Sequence, residues 1–215
     1  MALFSAITLP ALKGNEVSLA DYLEDILRKV VPNWRVIPPR ETATRINTLG
    51  LTSDYAIMRE MYETTQILNR DTLRKIGRAI GARYVFQPRL ASFSQTMTQR
   101  WKFPALEVRM AETRSSVMRM SLHLWDVETG ELLWTSSAEA TMQSDGVSED
   151  PIYLEDIARA TLGSIISDFM NRRTSSKYTS LNKFLDDLVK QAMPDEKPKT
   201  PQAAEQEEPA APTKQ

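Results

Sequence analysis

Cysteine is absent from this chain of 215 residues, and histidine occurs only once, at His123. Without cysteine the chain forms no disulfide, no thiol nucleophile and no thiolate metal site. With a single imidazole, a metal site would have to rely on carboxylates, and a Ser-His-Asp triad could use only His123. The composition therefore disfavours most hydrolases and metalloenzymes.

Glycine is also scarce, with seven residues, and no glycine-rich phosphate loop, nucleotide fingerprint or paired-acid motif occurs. No run of about 20 apolar residues predicts a transmembrane helix, and the start Met1-Ala2-Leu3-Phe4 lacks the basic and apolar regions of a signal peptide. A net charge of −1 gives no reason to expect a nucleic-acid or membrane-surface partner. We therefore expect no cofactor and no enzymatic activity, with an enzyme that uses His123 as an alternative.

Helical and extended patterns follow one another along residues 1–175 and predict one α/β domain of the α+β type. Ser18 begins a capping-box-like sequence before an amphipathic helix that ends at Pro32. Three helical segments lie between residues 41 and 80, the third opened by Asn69 and closed by Gly81. Strands are predicted at residues 5–12, 34–37, 84–103 and 117–142, and a last helix runs from Asp150-Pro151 to about Arg173. The expected fold is a mixed, mainly antiparallel sheet with helices packed on it.

The stretch LWDVETGELLW at residues 124–134 predicts a β-hairpin with Gly130 in the left-handed conformation. It does not recur, which argues against a β-propeller, whose blades repeat about every 40 to 50 residues. Pairing Val127 with Glu131 sets Leu124 opposite Trp134, and Trp125 opposite Leu133. On this register Leu124 and Trp134 face the core, while Trp125 and Leu133 face outward. His123 is then a surface histidine that packs on Trp125.

Residues 91–103 alternate between apolar and polar side chains. The alternation is compatible with a membrane-spanning strand, but glutamines interrupt the apolar side, which favours an extended hairpin that reaches a partner or a neighbouring subunit. Large apolar groups on exposed faces usually mark interfaces. The candidate partner-binding residues are Phe93, Met97, Trp101 and Phe103 on this hairpin, Trp125 and Leu133 on the outer face, and Leu181, Phe184 and Leu188 further along the chain.

Between Arg83 and Arg119 the chain carries seven basic and two acidic residues, an excess of five positive charges. Such an excess can bind anions, or can simply be the solvated side of a hairpin. The candidate anion-binding residues are Arg89, Arg100, Lys102, Arg109 and Arg114.

The C-terminal part of the chain divides in two. Residues 176–193 contain an amphipathic helix with an apolar stripe from Leu181 to Val189, closed by Pro194. Residues 194–215 are rich in proline, alanine and glutamate and have no aliphatic or aromatic anchor larger than alanine, which predicts a disordered tail.

The element order and two sequence stretches resemble those of bacterial envelope proteins of the TolB amino-terminal-domain-like group, which includes CsgG-like and LpoB-like periplasmic lipoproteins. The stretches are residues 67–86, with a helix, Gly81 and a strand in direct succession, and the hairpin with Asp126, Thr129, Gly130 and Trp134. The resemblance implies a periplasmic, usually lipid-anchored, non-enzymatic domain that binds other envelope proteins and often assembles into rings or complexes. The group has no catalytic residues to carry over.

On this basis we expect a protein-interaction subunit or scaffold of an outer-membrane-associated assembly, located in the periplasm. No lipidated cysteine is present in this sequence, so a lipid anchor would lie outside it. The alternative from the same resemblance is a subunit of an oligomeric, CsgG-like secretion channel, in which residues 91–103 enter the membrane.

Overall fold

The computed structural model describes residues 1–102, 109–146 and 152–171. Within these ranges the chain has an α+β fold with a mixed sheet in the order β1-β2-β3-β4. The strands are β1 (Ala2–Leu3), β2 (Tyr84–Lys102), β3 (Arg109–Asp126) and β4 (Leu132–Gly146). The helices are α1 (Glu16–Val30), α2 (Pro39–Thr48), α3 (Thr52–Thr65), α4 (Arg70–Ile80) and α5 (Leu154–Met170). The fold class expected from the sequence is confirmed.

The first strand is shorter than predicted and lies earlier in the chain. β1 pairs in parallel with β2, placing Ala2 opposite Val85, and farther along only an isolated bridge joins Ile7 to Arg89. Pro10–Leu12 form a 3-10 helix, so the prediction of a strand over residues 5–12 was wrong in extent. Residues 34–37 likewise form no strand beyond a bridge from Ile37 to Ala2.

The helical predictions between residues 41 and 80 are confirmed by α2, α3 and α4. The Asn69 side chain accepts a hydrogen bond from the Thr72 backbone N–H at 3.0 Å and so caps α4. Gly81 ends that helix with a φ of 74°, a conformation that favours glycine. The chain then enters β2 within three residues, so α4 must pack directly against the sheet.

Helices cover both faces of the sheet, and each face has its own apolar core. On one face α1 and α5 pack against Phe86, Leu122, Leu124 and Trp134, with Phe169 of α5 in edge-to-face contact with Trp134 at 5.0 Å. On the other face α2, α3 and α4 pack against Val85, Trp125 and Val127. Alternate side chains of β3 are therefore buried on opposite sides, an arrangement that a one-sided sheet would not show.

The hairpin register corrects the prediction that Trp125 and Leu133 face outward. Leu124 pairs with Trp134 as expected, but the register shifts at the next residue and sets Trp125 opposite Leu132. Leu133 is the extra residue of this bulge, and it is buried with Trp134 in the α1–α5 core at 6% exposure. Trp125 is 4% exposed because α3 and α4 cover its face of the sheet. Neither side chain is available on the surface of the chain.

Candidate interaction surface

Strands β2 and β3 extend well beyond the two cores. Ser94, Gln95, Thr96, Met97 and Thr98 are all exposed, whereas β2 is buried from Val85 to Pro88. We call residues 94–102 of β2, with residues 109–117 of β3 that pair with them, the ribbon. At about 3.3 Å per residue the ribbon is about 30 Å long.

A bulge at the base of the ribbon decides which residues share a face. The β2–β3 register shifts between Leu90 and Ser92, so Ala91 is an extra residue. Phe93 then lies opposite Met118 and packs on the edge of the α1–α5 core. Met97 follows four residues later on that face and is 58% exposed. The core face of the sheet therefore continues onto the ribbon, without a described helix above Met97.

A shallow cavity of about 280 Å³ lies where the ribbon meets the segment leading into α5. The Gln95 side chain donates a hydrogen bond to the Ile152 carbonyl at 3.3 Å across this cavity. Its remaining lining combines the Met97 thioether with the Arg114 side chain and small hydroxyl-bearing residues. The lining residues are Gln95, Thr96, Met97, Arg114, Ser115, Ser116 and Ile152.

The other predicted partner-binding residues fall into two groups. Trp101 pairs with Met110 near the end of the ribbon, but its side chain lies outside the description. Phe103, Leu181, Phe184 and Leu188 lie outside the described residues altogether. Of the predicted set, Phe93 at the base of the ribbon and Met97 on the ribbon lie on the same face of the β2–β3 pair.

The β3–β4 turn is fixed to α4 by charged side chains. Asp126 Oδ1 accepts hydrogen bonds from the backbone N–H groups of Glu128 and Thr129 at 2.7 and 3.2 Å, and Oδ2 accepts two from the Arg83 guanidinium. Arg78 of α4 donates to the Glu128 carboxylate at 2.5 and 2.8 Å, which lowers the Glu128 pKa. Asp126 therefore builds the turn together with Gly130, which has a φ of 71°. Trp134, the second tryptophan of the hairpin, is part of the α1–α5 core.

His123 is buried, which corrects the prediction that it lies on the surface. Its Nδ1 is hydrogen-bonded to the Tyr62 hydroxyl of α3 at 2.6 Å, and the residue is 9% exposed. Burial, with a smaller contribution from the positive charge of Arg89, lowers the His123 pKa to about 4. The imidazole is therefore neutral at neutral pH, and its Nδ1 is bonded to a tyrosine rather than to a nucleophile or a carboxylate.

The five candidate anion-binding residues do not form one cluster. Arg89 lies opposite Ser121 at the base of β2, and Arg114 lies opposite Met97 on the ribbon, about 23 Å farther along β3. Arg100, Lys102 and Arg109 occupy the ribbon end, and their side chains lie outside the description. Among the described residues no group of three acidic or histidine side chains is placed to hold a metal ion.

An exposed apolar pair on α3 was missed by the sequence analysis. Ile57 and Met61 are 59% and 44% exposed, one turn apart, while Met58 and Tyr62 beside them are buried. The spacing of these four apolar residues is that of an ordinary buried helix face, so the pattern alone did not reveal that two of them are exposed. Over the described ranges no helix is both long and apolar enough to cross a bilayer.

The sequence matches no protein-family model and no curated protein sequence. Solved structures similar to the chain include lipoprotein GNA1162 from Neisseria meningitidis, with 14% identity, a TM-score of 0.39, and coverage of 80% of this chain and 94% of that chain. They also include the PelC dodecamer from Paraburkholderia phytofirmans, with 15% identity, a TM-score of 0.38, and coverage of 77% and 84%. The LpoB C-terminal domain from Salmonella enterica has 16% identity, a TM-score of 0.36, and coverage of 65% and 80%.

Proposed function

We propose that this chain is a non-enzymatic protein-interaction subunit or scaffold of an outer-membrane-associated assembly in the periplasm of a bacterium. The observation that carries the proposal is the exposed ribbon, which extends about 30 Å from a base fixed in two cores and presents Met97 about 10 Å from that base. The envelope location rests on the resemblance of residues 67–86 and of the hairpin to bacterial envelope proteins of the TolB amino-terminal-domain-like group.

Several features of the ribbon suit protein recognition. Its core-side face presents the exposed Met97, with the partly buried Phe93 at its base, and the flexible thioether of methionine adapts to varied apolar surfaces. The cavity beside Met97 offers hydrogen-bonding groups from Gln95 and Ser116 at the edge of this apolar surface. An apolar centre with a polar rim is the usual composition of a protein interface.

The proposal is tested by replacing Met97 with aspartate and recovering partners from an envelope extract by affinity capture. An aspartate at position 97 removes the thioether and brings a hydrated carboxylate into the apolar contact, so we expect a loss of at least tenfold in captured partner. Circular dichroism establishes that the variant is folded, which is expected because Met97 is 58% exposed.

The matched control is Thr98→Asp, which introduces the same charge at the next, also exposed residue of β2, on the opposite face of the ribbon. Ile57→Asp serves as a second control, because it charges the exposed apolar pair on α3 instead. Equal capture by the Met97 and Thr98 variants and the wild type would remove the case for the ribbon. Detergent-dependent oligomers that conduct ions across a bilayer would favour the secretion-channel alternative.

A further inference from the structure

β4 forms one edge of the sheet and has little protection against pairing with a further strand. Edge strands are usually protected by shortness, by proline or by lysine. The opposite edge follows this rule, because β1 has only two residues and Pro88 of β2 beside it has no N–H to donate. β4, by contrast, keeps a regular register with β3 from Trp134 to Gly146 and contains neither proline nor lysine. Within the described ranges no strand covers its outer side, so its outward backbone groups can pair with an added strand.

We propose that a second copy of this chain occupies this edge, with the two β4 strands antiparallel about a two-fold axis perpendicular to the sheet. Such an axis keeps the core faces of both copies on the same side of one continuous sheet. The interface goes beyond the proposed function and makes no use of Met97. Its failure would therefore leave the partner-binding role of the ribbon untouched.

The side chains of β4 suit pairing with an identical strand. On the core side Ala138 and Ala140 are small and pack against the α1–α5 core. On the other side Ser137, Glu139 and Thr141 are exposed, so no described helix obstructs a second strand there. A two-fold axis at Ala138 or Ala140 sets Glu139 opposite a hydroxyl group of the second copy, that of Ser137 or Thr141. Like charges then do not face each other directly, and we place the axis at one of these two positions.

Helix α5 lies beside the β4 edge and joins the interface. On its one flank Arg159 donates a hydrogen bond to Asp25 of α1 at 2.9 Å, and on the other Asp168 accepts one from Ser136 of β4 at 3.4 Å. Because α5 packs over both β3 and β4, the second α5 lies two strand spacings away, or about 10 Å. Packed helices have axes about 8–10 Å apart. The two copies of α5 can therefore pack against each other while the strands pair.

The contact is large enough for a specific dimer. A paired edge of about 30 by 10 Å and a helix layer of about 25 by 10 Å bury about 550 Å² on each copy. The total of about 1,100 Å² exceeds the roughly 1,000 Å² that a specific interface requires. The strand edge alone would bury only about 600 Å² in total, so the dimer depends on α5 as well as on β4.

Cysteine cross-linking tests the position of the axis, because the chain contains no cysteine of its own. For either axis the two copies of residue 139 are diagonal neighbours about 7–8 Å apart. Glu139→Cys should therefore form a covalent dimer with a short bifunctional thiol reagent, at least tenfold more than Thr98→Cys on the equally exposed ribbon. Cross-linking only between Glu139→Cys and Thr98→Cys chains in a mixture would show that β4 pairs with β2 of another copy, and would overturn the two-fold arrangement.

Sedimentation of the full chain tests whether this edge holds the dimer together. Ser137→Glu with Thr141→Glu adds carboxylates that face Glu139 of the second copy for either axis, so the dimer Kd should rise at least tenfold. Thr96→Glu with Thr98→Glu adds the same charges to the ribbon and should dimerise like the wild type. Circular dichroism establishes that both variants fold, as expected for four exposed positions. Equal Kd values for the two variants, or a wild type that stays monomeric at about 100 µM, would overturn the proposal.

Deuterium exchange locates the interface independently of any substitution. In the monomer the β4 amides that point away from β3 exchange quickly, whereas in the dimer they are hydrogen-bonded to the second strand. Their exchange should therefore slow at least tenfold between dilute and concentrated protein. A wild type that dimerises without slowing these amides would have its interface elsewhere, which would also overturn the proposal.

Discussion

Gly77 of α4 lies directly against Val127 in the β3–β4 turn, so closely that a Cβ atom on Gly77 would overlap both methyl carbons of Val127. Glycine inside a helix normally costs about 1 kcal/mol relative to alanine. Here the close approach reverses that preference, because the larger residue would push α4 away from the turn.

Gly77→Ala is therefore expected to lower the free energy of unfolding by about 1–3 kcal/mol, as measured by urea denaturation. Gly163→Ala in α5 is the matched control, since a Cβ atom there meets nothing within 4 Å. That variant should be neutral or stabilising by up to about 1 kcal/mol. A destabilisation of equal size in both variants would contradict the packing of α4 on Val127.

Asp126 has two separable roles, and two substitutions distinguish them. Asp126→Asn retains an oxygen for the Glu128 and Thr129 N–H groups but loses the charge that faces Arg83. We expect it to lower the free energy of unfolding by about 1–2 kcal/mol. Asp126→Ala removes both interactions from a residue that is only 6% exposed, so it should lower the free energy of unfolding by about 3 kcal/mol. Arg119→Gln at the exposed pair with Glu139 is the reference, at about 0–1 kcal/mol. Equal losses for the two Asp126 variants would show that the hydrogen bonds to the turn add nothing beyond the charge, and an unchanged stability of Asp126→Asn would show that the charge is irrelevant.

The buried histidine makes stability depend on pH in the acidic range. The His123 pKa is lowered from 6.5 to about 4 in the folded state, so below pH 6.5 the unfolded chain binds a proton that the folded chain does not. Stability should therefore fall as the pH drops from about 6.5 to 4, by roughly 3 kcal/mol at most, and this contribution should level off below pH 4.

The wild type minus His123→Gln difference isolates this contribution from acidic groups such as Glu128, whose lowered pKa also reduces stability in acid. Tyr62→Phe removes the hydroxyl from His123 Nδ1 but leaves the imidazole buried, so it should lower stability while retaining the pH dependence. A difference curve that is flat between pH 4 and 6.5 would show that His123 is accessible to protons in the folded chain.

Leu133 provides a test of the bulge in the hairpin. Its side chain is 6% exposed and belongs to the α1–α5 core, so Leu133→Ala should cost about 2–4 kcal/mol. An outward-facing leucine would give a change within about 0.5 kcal/mol. Urea denaturation therefore distinguishes the bulged register from the regular register expected from the sequence.

The features that were predicted correctly from the sequence depend on neighbouring residues. The Asn69 cap, the left-handed Gly81 and the Leu124–Trp134 pairing are each set by a few adjacent positions. The outward placement of Trp125 and Leu133 failed for two reasons. A single extra residue reverses the alternation along a strand, and helices from distant parts of the chain cover both faces of the sheet.

The surroundings of His123 could not be predicted either, because they depend on packing between parts of the chain that are distant in sequence. Tyr62 precedes it by 61 residues, and only the packing of α3 on the sheet brings the hydroxyl to the imidazole. The ribbon was partly predictable, because the alternation of residues 91–103 is a local pattern. The bulge that places Phe93 and Met97 on the core side was not visible in that pattern.

The strand order also determines how fast the backbone amides of each strand exchange their hydrogen for deuterium from the solvent. β3 is hydrogen-bonded to β2 on one side and β4 on the other, whereas β4 has no described strand on its outer side. Because alternate amides of an edge strand point away from its partner, deuterium should enter every second position of β4 quickly. The amides of β3 beside the two cores, by contrast, should exchange only when the sheet opens.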